Sequence, residues 1–494
     1  MRTLSFSEPR EPIHCSLIND IVGHTLFLTP RVQVLRLHIS SEAGLRLIPA
    51  LLTPELTDIS LSLDEDTVFN HPGDLDDLIK SAYMTIFQCA PKLVNLSVVH
   101  SHDVLPEFSL PTILVSGHLR ATCLQSLTHV TFYINAASLH QVLHITSQLH
   151  KLEELTIQVC EDPFGRIPRL SSLVSGTFSS LKNLTLGGSP EIIHLIYSAL
   201  PPNRTIQSAV LRMRGLHTSA DVALVFSGLV TAVSKESLRK IVMTSVLSRN
   251  DLAQWDTNSE IDTRQFTLDI RAIEHALQFT NLEIFSACLG IPLYLTDEDH
   301  LRVAQAWRSI QLLYLSSIVQ CVAPAHRPPA SIASLVHYAW HCRSLKAIGL
   351  CIDASTEGSV EACACALDAY EISEGHMNLP SPSIQMVEFG PSWVECNFDP
   401  PHIISVAKAF TRLFSNLAAC RACRTEELGV PQAAWTWMKV QTLYEYMLFT
   451  EQSHRVNIAW KSRLFSKVCC MRYLTVSYLI LPSGLRNMVK IMKG

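Results

Sequence analysis

Along the chain the apolar positions fall into a recurring phrase, apolar-x-x-apolar-x-apolar, separated by stretches whose apolar residues keep helical spacing. The phrase reads Val32-Leu35-Leu37, Leu56-Ile59-Leu61, Leu93-Leu96-Val98, Leu127-Val130-Phe132, Leu152-Leu155-Ile157 and Leu181-Leu184-Leu186. It continues as Ile206-Ala209-Leu211, Leu238-Ile241-Met243, Leu282-Phe285-Ala287, Ile310-Leu313-Leu315, Leu345-Ile348-Leu350 and Ile384-Val387-Phe389. Leu417-Cys420-Ala422 is a weaker thirteenth instance. The last two apolar residues alternate with small or polar ones, the period of a short strand with one buried face. The first apolar residue is expected to tuck under the same layer.

Between the phrases, Leu75, Leu78, Ile79, Ala82 and Ile86 share one face of a helix. Ser189-Pro190-Glu191 reads as a cap, a proline at the first helical position and an early acid. Thr296-Asp297-Glu298-Asp299 opens another helix running towards Trp307, with acids at its positive end. Strand, turn and helix repeated in this way predict an α/β leucine-rich-repeat solenoid, with a curved parallel sheet on the concave side and helices on the convex side. Many phrases are followed, three residues on, by a small or polar side chain, but only Asn135 and Cys160 are the Asn or Cys that such repeats favour. One unit cannot bury its own apolar face, so neighbouring units must cover both of its sides. Residues 31–425 are assigned to the solenoid, as about 12–13 irregular repeats. Residues 1–30 are read as an N-terminal cap or remnant, 426–455 as a C-terminal helical cap and 456–494 as a basic apolar tail. Phrases start 24 to 44 residues apart, and the surplus is assigned to longer helices and to loops, notably Leu247–Thr263 and Gly358–Ser383.

Composition narrows the function. Of 494 residues, 48% are hydrophobic and 17% charged, which is a globular rather than a disordered balance. A net charge of −5 supplies no field for a polyanion, so nucleic acid is not expected as a partner. The 15 cysteines are odd in number and scattered, Cys89, Cys288 and Cys321 among apolar neighbours, which reads as reduced thiols. No signal-peptide pattern opens the chain and no apolar run is long enough to span a bilayer, so an intracellular protein, cytoplasmic or nuclear, is expected. The tail from Val456 to Gly494 holds seven basic side chains and no acid. It is read as a capping segment or a sequence of no selected role rather than a site for an anionic membrane or nucleic acid, and no membrane partner is expected.

Catalytic spacing is scarce. Cys420-Arg421-Ala422-Cys423 is a single C-x-x-C without the second pair a zinc site wants. His337 and His341 share a helix face, but Tyr338 stands where a zincin carries Glu. No metal, cofactor or catalytic residue is assigned. What remains is the strand surface, where residues flanking the buried pairs face the concavity. Arg36, Ser60, Ser97, Thr131, Thr156, Thr185, Val210, Val242, Ser286, Tyr314, Gly349 and Glu388 form its middle row. The candidate partner-binding residues are Arg36, His38, Asp58, His129, Tyr133, Glu154, Arg212, Lys240 and Tyr314.

Four segments carry a further signal: residues 29–37 (Thr-Pro-Arg-Val-Gln-Val-Leu-Arg-Leu), 48–56 (Ile-Pro-Ala-Leu-Leu-Thr-Pro-Glu-Leu), 89–96 (Cys-Ala-Pro-Lys-Leu-Val-Asn-Leu) and 406–417. With these the chain resembles the F-box and leucine-rich-repeat-like proteins of mushroom-forming fungi, over roughly Leu26 to Arg455. The resemblance implies a target-recognition arm of a cullin-RING ubiquitin ligase. An F-box opens with a Leu-Pro-x-Glu-like phrase, which Ser16–Thr29 lacks, so no residue is assigned to the ligase adaptor and that partner is expected only if an F-box is missing from this sequence. The target protein is not identified. A free-standing leucine-rich-repeat scaffold and an enzyme with an unrecognised site stay open as alternatives.

Overall fold

The structure is a computed structural model, and it describes residues 3–7, 31–39, 42–63, 81–82, 84–100, 125–160, 170, 177–215, 217–246, 268–289, 294–315, 328–354, 357–374, 384–389, 400–414, 417, 419–422, 440–445 and 447. The expected loop Leu247–Thr263 and the tail 456–494 lie outside these residues.

Fourteen strands form one parallel sheet in strict chain order. They are β1 (Thr3–Ser7), β2 (Val34–Ile39), β3 (Asp58–Leu63), β4 (Asn95–His100), β5 (His129–Asn135), β6 (Glu154–Cys160) and β7 (Asn183–Gly188). Then come β8 (Ser208–Arg214), β9 (Lys240–Val246), β10 (Ile284–Cys288), β11 (Leu312–Tyr314), β12 (Ala347–Leu350), β13 (Met386–Phe389) and β14 (Ala419–Ala422). Each strand pairs only with its predecessor and its successor, so the sheet is open at both ends and coils forward as a solenoid.

The register follows the sequence phrase without a slip. Leu35 aligns with Ile59, Leu96, Val130, Leu155, Leu184, Ala209 and Ile241 in successive strands. Phe285, Leu313, Ile348, Val387 and Cys420 complete the row. Because side chains alternate with period two, a one-residue slip anywhere would turn a buried pair to solvent. From Val32 to Ile384, the residue that opens each of the twelve main phrases is at most 2% exposed. The sheet also begins earlier than the first phrase, since Leu4 of β1 pairs in register with Leu35.

Turns repeat as faithfully as strands. Leu93, Leu152, Leu181, Leu282, Ile310 and Leu345 each donate a backbone hydrogen bond to the carbonyl three residues back, on Ala90, Leu149, Phe178, Phe279, Trp307 and Cys342. All six acceptor residues are buried. They form an inner row one step ahead of the phrase, with Trp307 packed 4.4 Å from Phe285 between ring centroids.

The helices are α1 (Glu42–Leu51), α2 (Leu139–Ser147), α3 (Pro190–Ala199), α4 (Ser219–Ala232), α5 (Ile270–Ile273), α6 (Asp297–Ala306), α7 (Ala333–His341), α8 (Glu357–Glu374) and α9 (Pro400–Leu413). Residues 84–89 are also helical, and Ala82 and Ile86 are buried there as the spacing predicts. Consecutive helices pack side by side, α3 on α4 and α6 through α9 in turn. The Thr296 start is a capping box: its hydroxyl accepts from the Asp299 amide, and the Asp299 carboxylate accepts from the Thr296 amide. Ser189 precedes α3 with extended backbone but makes no side-chain cap bond. One expectation is corrected: Gly358–Glu374 is not a loop but most of α8. Its Ala-rich run favours helix, and buried Cys363 and Leu367 at i, i+4 turn inward. At the far end, Tyr444 in helical residues 440–445 donates to the Phe414 carbonyl at 2.7 Å and accepts from the Leu417 amide. Among the described residues, no helix is long and apolar enough to cross a membrane.

Candidate functional site

The nine residues singled out from sequence all lie on the face of the sheet away from the buried pairs, each exposed or half-buried. Register sorts them into three parallel rows. Asp58, His129, Glu154 and Lys240 begin their strands and stand in the first row. Arg36 and Tyr314 belong to the middle row. His38, Tyr133 and Arg212 lie one step further along their strands. The structure therefore places them on one surface without gathering them at one point. Arg36 and Tyr314 are nine strands apart, roughly 43 Å along the sheet at ~4.8 Å per strand.

Asparagines that the sequence reading passed over tie the first row together. Asn95 donates to Asp58 Oδ1, and Asn183 donates to Glu154 Oε1 at 2.8 Å. His129 Nε2 lies 3.5 Å from Glu154 Oε2, while its Nδ1 is 2.6 Å from the Thr128 hydroxyl. Asn95 Oδ1 itself is buried without a hydrogen-bond partner. The available signal was an acid, amide or imidazole at the same phrase position in five successive strands, the sheet equivalent of a side-chain ladder. Beside this row lies a shallow depression of about 200 Å³ between Arg36 and His129, floored by Ser60, Ser97 and Thr131.

Two glycines shape the surface further. A Cβ on Gly349 would stand 2.5 Å from Tyr314 Cδ1, so the ring occupies the space that a side chain there would need. Gln158 lies across Gly187 in the same way and is buried there despite facing outward.

On the helical side, His337 and His341 do not converge on an empty metal position. Both reach the Tyr370 hydroxyl, His337 Nδ1 at 3.0 Å and His341 Nε2 at 3.2 Å, so that one can accept and the other donate. Tyr370 also stacks on Trp340 with centroids 4.9 Å apart. Asp297, at the start of α6, clasps α7: its carboxylate accepts from the Ser331 amide, the Ser331 hydroxyl and the Ser334 hydroxyl at 2.9, 2.6 and 2.5 Å. Next to it, buried His300 hydrogen-bonds the Tyr338 hydroxyl at 2.8 Å. Burial, partly opposed by Asp297, depresses His300 to about 4, and burial likewise lowers His337 and His341. Burial pushes the Cys342 and Cys363 thiols up to about 12, the opposite of what a nucleophilic thiolate needs. Among the described residues no three His, Cys, Asp or Glu side chains cluster as a metal site would.

Fold and face together define a class: an open α/β repeat solenoid with helices on one side and, among the described residues, mostly exposed or half-buried strand side chains on the other. No family model matches the chain, and a search of curated proteins finds no match either. Among solved structures it is similar to a chain in the crystal structure of the Rad7 and Elc1 complex in yeast, with 14% sequence identity and a TM-score of 0.34. That match covers 71% of this chain and 76% of the other.

Proposed function

We propose that this protein is a leucine-rich-repeat interaction module that binds another protein along the open face of its sheet and catalyses no reaction of its own. The observation that carries the reading is the middle row, in unbroken register from Arg36 to Glu388. Its side chains are mostly Ser, Thr and Val, short enough to let a partner's backbone approach, with Arg36 and Tyr314 as longer anchors. A row of this kind supplies a long, shape-regular surface rather than a reaction pocket. The family resemblance adds a role in target recognition for a ubiquitin ligase of the F-box type.

Photocrosslinking tests the docking face. A benzophenone side chain at Thr156, Thr185 or Val242 is expected to capture partner protein from cell extract, while the same group at Gln148, Arg302 or Lys408 on the helical side captures none. Capture confined to the helical positions overturns the reading. The ligase half is separable: co-purification of the full-length gene product with the ligase adaptor supports it, and failure to co-purify removes it while leaving the docking face.

A further inference from the structure

The open face changes character between β7 and β8. From β3 to β7 its first two rows are polar: Asp58, Asn95, His129, Glu154 and Asn183, beside Ser and Thr hydroxyls. From β8 onward the same rows present Val210, Val242, Ile284, Leu312, Tyr314 and Met386, all half-buried and facing outward. Scattered surface aliphatics are ordinary, but here Val210 adjoins Val242 and Ile284 adjoins Leu312, with Tyr314 two residues along β11 and Met386 next in the first row beyond Ala347. They make an apolar patch interrupted by Ser286 and bounded by Glu388, of a kind that monomeric surfaces seldom carry without use.

Charge frames this patch at its polar end. Lys240 sits in the first row between Ser208 and Ile284, and Arg212 in the third row beside Thr244. They stand on opposite sides of the Val210–Val242 pair, with Cα atoms roughly 14 Å apart by strand geometry. Neither side chain has an ion-pair or hydrogen-bond partner among the described residues. The carboxylates of the polar half differ: Asp58 is held by Asn95, and Glu154 by Asn183 and His129. Internally bonded groups stiffen a surface, whereas unpaired cations beside apolar side chains leave their interactions to an incoming partner.

We infer that the β8–β13 half of the open face binds an extended peptide segment of a partner protein that carries aliphatic side chains and, at one end, carboxylates. The apolar side chains cover the patch from Val242 to Met386, and the carboxylates reach Arg212 and Lys240. This rests on the docking reading above and specifies its partner chemistry and its position on the sheet.

Two fluorescent twelve-residue peptides test it against the full chain by anisotropy, one of Leu and Val alternating with Ser and ending in three Asp, the other with Lys in place of each Asp. The Asp peptide is expected to bind saturably and to weaken at least tenfold in Arg212→Glu/Lys240→Glu and in Val242→Asp, while Lys408→Gln on the helical side leaves it unchanged. Circular dichroism melting of each variant separates loss of binding from loss of fold. Raising salt weakens the Asp peptide, as exposed charge contacts require. Equal or tighter binding of the Lys peptide, or Asp-peptide binding indifferent to the double charge reversal, overturns the inference. Lys-peptide binding that Asp58→Asn/Glu154→Gln abolishes overturns this placement while leaving the open face as the docking surface. If neither peptide binds, this partner chemistry is wrong, and crosslinking from Thr156 and Thr185 decides the docking reading by itself.

Discussion

The Tyr314 ring packs against Gly349 on the next strand, so close that a Cβ there would stand 2.5 Å from Cδ1. Glycine at 349 and tyrosine at 314 are thus one unit of the open face. Gly349→Ala is expected to destabilise the protein by about 1–3 kcal/mol through overpacking. In a Tyr314→Ala background the same change costs little. A urea-unfolding double-mutant cycle reads this as a coupling of about 1 kcal/mol or more, and additive costs would contradict the packing.

The two faces of one strand make a sharper contrast. Leu184 is buried in the continuous ridge and Thr185 faces outward beside it. Leu184→Ala is expected to cost about 2–5 kcal/mol and Thr185→Ala less than about 0.5 kcal/mol, measured by the same unfolding assay. Comparable losses at the two sites would mean that the register is not the one described.

Acid weakens the fold through the buried imidazoles. His300 is depressed to about 4 in the folded chain from a usual value near 6.5, so between those values the unfolded chain binds the extra proton. The stability that neutral His300 supports is present above about pH 6.5 and is lost as pH falls towards 4. By pH 5 the loss is on the order of 2 kcal/mol, and His337 and His341 act in the same direction. Urea unfolding at pH 7.5 and pH 5.0 measures it. His300→Gln, which keeps a partner for Tyr338, is expected to flatten the dependence.

Asp297 joins α6 to α7 through three donors from Ser331 and Ser334. Asp297→Ala leaves those donors without their acceptor and is expected to destabilise by about 3 kcal/mol, with hydrogen exchange rising first in α7. Exchange unchanged in Ala333–His341 would show that the clasp is incidental.

Much of this was legible because a parallel stack repeats one requirement. Every strand must bury residues at the same two positions, so Leu35, Leu184 and Val387 announce themselves by spacing alone. Thr3–Ser7 was legible too, since Met1, Leu4 and Phe6 keep the phrase, but reading the first thirty residues as a cap hid it. The inner row of Ala90, Phe178, Trp307 and Cys342 was harder, because turn positions accept any buried shape and show no common residue. Helix α8 was misread as loop because its Ala and Cys positions give little amphipathic contrast, although its propensity is high. On the candidate face, period two shows which residues point outward. It cannot show that Asn95 and Asn183 hold the neighbouring carboxylates, because those contacts depend on strand-to-strand register across 29 to 37 residues.

The central claim is that the strands advance in one direction without closing, leaving a face for a partner. Pulsed electron-electron spin resonance between a label at Arg36 and labels at Thr185, Val242 and Tyr314 measures that advance directly. The account predicts distances that grow with strand number, about 24, 34 and 43 Å along the sheet less a modest shortening for curvature. Distances that pass through a maximum and fall again at Tyr314, as in a closed barrel or a compact globule, would contradict it.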